Sequence, residues 1–109
     1  MRILLDESVP HDLVSPLAEH HEVETAQARG WGGAKNGELL RLVSEQAFDA
    51  FITCDQNLPY QQNLGGMGFG IVVLAARDNR PPTLLALMPQ ILGRLRSLGR
   101  GEVVRISDR

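Results

Sequence analysis

The chain predicts an α/β domain of three α/β/α layers around a mostly parallel sheet of about five strands. Three observations lead there. Short apolar runs recur at residues 3–5, 48–53 and 69–75, without polar alternation, as in strands buried on both faces. Between them lie segments whose apolar residues fall three and four apart, the spacing of amphipathic helices. Strand and helix alternate along the chain, and that alternation implies parallel strands joined by helical crossovers.

Taken in order, the first strand is the run Ile3-Leu4-Leu5, followed at once by Asp6 and Glu7. A helix over 10–19 follows, with Leu13, Val14, Leu17 and Ala18 on one face. Pro10 suits its first position, and Pro16 is expected to end or bend it. The adjacent His20 and His21 read as surface loop residues, and 22–26 as a short strand. Gly30, Gly32 and Gly33 surround Trp31, which either packs beneath this loop or offers a stacking platform. No Gly-Lys-Ser/Thr follows, so this is no Walker-type phosphate loop.

Asn36 is a plausible cap for a helix over 36–46, whose apolar face is Leu39, Leu40, Leu42, Val43 and Ala47. The second buried strand, 48–53, ends at Cys54-Asp55-Gln56-Asn57, and a short helix or turn is expected after Leu58. Gly65, Gly66 and Gly68 mark a loop before the third buried strand, 69–75. Pro81 and Pro82 precede a last helix over 83–98, and 102–106 is a final strand.

The 109 residues suit one domain, with 43% hydrophobic and 22% charged residues, ordinary values for a globular protein. A net charge of −2 supplies no global basic field for nucleic acid or anionic lipid, although local patches of cations suffice for a nuclease. The single cysteine, Cys54, excludes an internal disulfide and a cysteine-rich zinc site, and suits a reducing, cytoplasmic setting. No secretory signal is visible and no apolar run approaches the ~20 residues of a membrane span.

The chemistry lies in the strand ends. Ligands of open parallel sheets sit beyond the carboxyl ends of the strands. Asp6 and Asp55 both follow buried strands, and Glu38 opens a helix entering from the same edge. Three gathered carboxylates repel one another, and a hard divalent cation such as Mg²⁺ or Mn²⁺ relieves that repulsion. Such an ion activates water and stabilises charge on a phosphodiester. Each acid also has a plainer role: Asp6 and Glu7 as helix caps, Glu38 as a first-turn partner of the helix dipole. Asn57 and Asn63 are amides suited to orienting water or phosphate, Tyr60 to stacking on a base, and Lys35, Arg29 and Arg41 to phosphate contact. Cys54 reads as buried and inert.

Three segments carry a family resemblance. Leu4-Leu5-Asp6-Glu7-Ser8-Val9-Pro10 resembles the amino-terminal LLDENxP signature of small PIN-like proteins. Gly32-Gly33-Ala34-Lys35-Asn36-Gly37-Glu38-Leu39-Leu40 resembles their second segment, and Phe51-Ile52-Thr53-Cys54-Asp55-Gln56-Asn57-Leu58 their third. The resemblance spans most of the first 75 residues. It implies a PIN-like domain over 1–109 and Mg²⁺- or Mn²⁺-dependent cleavage of RNA. Relatives include VapC-type toxins, each inhibited by a small antitoxin protein.

By position the resemblance makes Asp6, Glu38 and Asp55 the metal ligands and, with Asn57, the catalytic set. Asn36, Lys35, Tyr60 and Asn63 are then the substrate-side residues. The chain departs from the pattern at Ser8, where Asn is usual, and at Asn36 and Asn57, where Asp is common. Those departures support a second expectation: a catalytically degenerate PIN-like domain that binds a protein, an RNA or another copy of itself.

Overall fold

A computed structural model describes residues 1–58 and 67–108. Its centre is a sheet of five strands: β1 (Arg2–Leu5), β2 (Glu22–Thr25), β3 (Ala50–Thr53), β4 (Gly70–Leu74) and β5 (Val103–Ile106). They lie in the order β2-β1-β3-β4-β5, and all four pairings are parallel. The α/β class and the five-stranded sheet are as the sequence predicts, and the sheet is wholly rather than mostly parallel.

Burial explains the apolar runs. Every residue of β3 and β4 is buried, as are Ile3, Leu4 and Leu5 of β1, because successive side chains enter cores on opposite faces. Ile3, Leu5, Ile52, Val72 and Leu74 join one core with Leu13, Leu17, Leu84, Ile91 and Leu95. Leu4, Phe51, Ile71 and Val73 join the other with Leu39, Leu40, Val43 and Phe48. The outer strands differ. β5 alternates exposed and buried residues and β2 has no fully buried one, as edge positions allow.

The helices depart from expectation where proline intervenes. The first begins as a 3-10 turn, His11–Leu13, and continues as α1, Val14–Ala18. Pro16 is the third residue of α1, where backbone N–H groups have no intrahelical partner, so it is tolerated rather than terminating. The expected single helix over 83–98 is two: α3 (Pro81–Leu85) and α4 (Met88–Leu95). Pro89 is the cause, since it has no N–H to continue the ladder and sits in the first turn of α4. Pro81 and Pro82 lie inside α3 at its first two positions rather than before it.

Helix α2 (Asn36–Glu45) ends in a left-handed turn at Ala47, φ 58°. The Phe48 N–H donates to the Val43 carbonyl and the Ala47 N–H to that of Ser44, a Schellman closure usually built on glycine. This closure takes Phe48 out of the strand expected at 48–53 and puts its ring into the core beside Val43. Gly70 opens β4 under tight constraint. A Cβ there would stand 2.8 Å from the Gly99 carbonyl oxygen and closer still to the Leu98 side chain.

Candidate functional site

The chain runs from β1 outward to β2, then crosses back to place β3 on the other side of β1. The carboxyl ends of β1 and β3 therefore flank the point where strand order reverses, the usual crevice for ligands in such sheets. Asp6 follows β1 and Asp55 lies two residues beyond β3. The Asp6 N–H donates to the Ile52 carbonyl at 2.9 Å, which continues the ladder and holds Asp6 against β3.

Two hydroxyls hold Asp6 against the end of β3, and one of them also reaches Asp55. The Thr53 hydroxyl donates to Asp6 Oδ2 at 2.9 Å and accepts the Asp55 N–H at 3.0 Å. The Ser8 hydroxyl donates to the same Asp6 oxygen at 2.6 Å and accepts the Cys54 N–H at 3.1 Å. Thr53 is fully buried, so its hydroxyl needs these partners, and their loss would strand a polar group in the core. Asp55 is held from two other directions. Asn57 donates its N–H to Oδ1 at 3.0 Å, and Asn36 donates its side-chain amide to Oδ2 at 3.2 Å.

Asn36 thus corrects one expectation. It is the first residue of α2, with Lys35 in the cap position, and its side chain reaches Asp55 instead of capping the helix. Lys35 is exposed beside it. Glu38 lies in the first turn of α2 and is exposed. Among the described residues, no three His, Cys, Asp or Glu side chains gather closely enough to hold one ion, so Glu38 is not drawn to Asp6 and Asp55. Tyr60 and Asn63, with the short helix or turn expected after Leu58, lie outside the described residues.

The donor set still suits a hard cation. Asp6 and Asp55 form no ion pair among the described residues, and all their partners are neutral donors. Each carboxylate has acceptor sites beyond those in use. Mg²⁺ commonly takes one or two protein carboxylates and keeps several waters, so two acids meet its minimum.

The other candidates have structural work. Arg29 pairs with Glu24 at 2.8 Å, and its guanidinium lies 5.2 Å from the Trp31 ring centre. Trp31 meets Phe48 edge-on at 6.2 Å, so it packs beneath its loop. Arg41 pairs with Glu45 one helical turn away. Burial, and secondarily the nearby Asp6 charge, pushes the Cys54 thiol up to about 11. It stays protonated near neutral pH and is a poor nucleophile.

Sequence reasoning missed Thr53 and Ser8. A threonine closing an otherwise apolar buried run was the available signal, because a buried hydroxyl demands a partner. Comparison of the chain with family models, with curated proteins and with solved structures finds no match. What the fold and site define is an all-parallel α/β domain with two braced acids at its switch point.

Proposed function

We propose that this chain is a Mg²⁺- or Mn²⁺-dependent ribonuclease of PIN-like type. The observation that carries the reading is the pairing of Asp6 and Asp55 across the β1/β3 switch point, braced through Thr53. The motif resemblance at residues 4–10, 32–40 and 51–58 supplies the substrate class.

Asp6 and Asp55 are the residues that would hold the ion, which when bound supplies an activated water and neutralises charge on the phosphodiester. The chain's own contribution is orientation. Ser8 and Thr53 fix the Asp6 carboxylate, while Asn36 and the Asn57 N–H fix that of Asp55. Neutral donors do this without cancelling the negative charge, which a guanidinium would do. Exposed Lys35 stands next to Asn36 as a phosphate contact, and Glu38 is an exposed acid in the first turn of α2. By the same resemblance the chain is a toxin held in check by a small antitoxin-type protein.

The test is cleavage of a panel of single-stranded RNAs with Mn²⁺. Wild-type protein cuts, chelation stops it, and Asp6→Asn lowers it by about 10²–10³-fold. A panel left intact by folded protein with Mn²⁺ defeats the reading.

A second reading draws on the separation of Glu38 from the acid pair. With two carboxylates rather than three, the domain acts by binding RNA, a partner protein or a second copy of itself. Calorimetry separates the two readings. A micromolar Mn²⁺ site lost in Asp55→Ala excludes the binding module, and no detectable Mn²⁺ binding excludes the enzyme.

A further inference from the structure

The two flanks of the acid pair carry different charge. On the β1 side Glu7 follows Asp6, and Arg29 gives its Nε and Nη2 to Glu24 and its Nη1 to Gln46. On the other side stand exposed cations: Arg77 past the end of β4, and Arg105 as the third residue of β5. Arg77 shares its charge with Asp108, two residues past β5, at 2.9 Å. Its side chain is nevertheless 63% exposed, and a guanidinium has five N–H donors, more than one carboxylate consumes.

Arg105 differs from Arg77 in its partner. Among the described residues it forms no ion pair. Its Nη2 donates to Gln56 Oε1 at 2.7 Å, a neutral acceptor that orients the guanidinium and leaves its charge standing. Gln56 directly follows Asp55, so adjacent residues carry an acid of the pair and the brace of a cation. Arg105 and Arg77 line one hollow of about 350 Å³ at the carboxyl ends of β4 and β5, with Gln56, Ala75, Ala76 and Ser107. From β3 to β5 is two strand spacings, about 10 Å. The hollow therefore stands beside an ion held by Asp6 and Asp55, not on it.

We propose that this hollow takes a backbone phosphate of single-stranded RNA, neighbouring the phosphate at the acid pair, with Arg105 as its main contact and Arg77 as its second. The strand then crosses the ends of β4 and β5, away from Glu7. A guanidinium meets phosphate oxygens through paired N–H donors, and such a contact positions the strand without reading its bases. The choice of RNA rests on the ribonuclease reading, whereas the uncancelled charge, its brace and the hollow do not.

The test is binding of the full chain, in EDTA, to labelled oligouridylate and oligoadenylate of about ten nucleotides. Arg105→Ala is expected to weaken both by about tenfold, the scale of one charge-assisted hydrogen bond. It also lowers the slope of log affinity against log salt by about 0.7 between about 50 and 200 mM. Arg105→Lys keeps that slope. Arg100→Ala removes the same charge at the opposite edge, where the neighbouring Gly99 carbonyl lies against the start of β4, and binds as wild type. Gln56→Ala weakens binding in the same direction by freeing the guanidinium, and serves if Arg105→Ala does not fold. Wild-type affinity in folded Arg105→Ala, an equal loss in Arg100→Ala, or a loss confined to one oligonucleotide overturns the proposal. Arg105-dependent binding by a protein that leaves RNA intact with Mn²⁺ sinks only the nuclease reading. Cleavage whose KM is unchanged in Arg105→Ala sinks only the phosphate site.

Discussion

Asp6 and Asp108 stand at the same edge of one sheet, about 14 Å apart at the usual strand spacing, and are held by opposite kinds of partner. Asp6 is braced by two hydroxyls and Asp108 by a guanidinium. Hydroxyls orient a carboxylate and leave its charge standing. A guanidinium orients it and neutralises it. The first arrangement invites a cation, and the second does not. Two aspartates that look alike in sequence thus become different chemistry through what the neighbouring strand end provides.

The largest expected effect falls on the hydroxyl-braced side. Asp6→Asn and Asp55→Asn each lower RNA cleavage by about 10²–10³-fold, the scale of losing one preorganised electrostatic partner. Fold integrity by circular dichroism separates this from unfolding. Next comes Thr53→Val, which keeps both acids and removes the hydroxyl between them. Mn²⁺ affinity and cleavage fall by about 10–100-fold, and calorimetry beside single-turnover assays measures both. If Thr53→Val behaves as wild type, the bracing has no functional role and the contrast between the two ends collapses.

On the guanidinium-braced side the effects are on stability. Arg77→Ala leaves the Asp108 carboxylate nearly buried and without its counter-charge, at a cost of about 1–3 kcal/mol in urea unfolding. The smallest effect concerns Asp78. A hydrogen bond from the Thr83 hydroxyl, then one from the Arg80 N–H, holds its carboxyl below the usual range. A lowered carboxylate pKa stabilises the fold above the unfolded value, near pH 4, and that stability drains as pH falls through the folded value. Thr83→Val therefore lowers stability by a constant amount above about pH 4 and flattens the acid limb below it, as melting at stepped pH will show.

The elements were legible from local pattern, and their failures were local as well. The runs at β1, β3 and β4 announced burial on both faces, and the acids after them announced a carboxyl-edge site. The apolar spacing over 83–98 reads as one helix, and the break that Pro89 makes in it is a local signal that the spacing does not carry. Ala47 in a left-handed turn was not legible, because alanine carries no signal for positive φ and only the closure onto Val43 and Ser44 demands it. Asn36 read as a cap because capping is the commonest local use of its amide. A partner 19 residues away claimed it instead. The Arg77–Asp108 pair, 31 residues apart, left no trace in any window of sequence.

By itself, the sequence determined which segments are strands, which faces are apolar and which residues follow the strand ends, since all three depend on near neighbours and on the periods of helix and strand. Tertiary structure decided that β3 lies beside β1, that Thr53 touches both Asp6 and Asp55, that Glu38 stays apart, and that Asp108 is left one donor short. The reason is that strand order and side-chain pairing are set by how the two cores close around the sheet, and distance along the chain does not encode that closure.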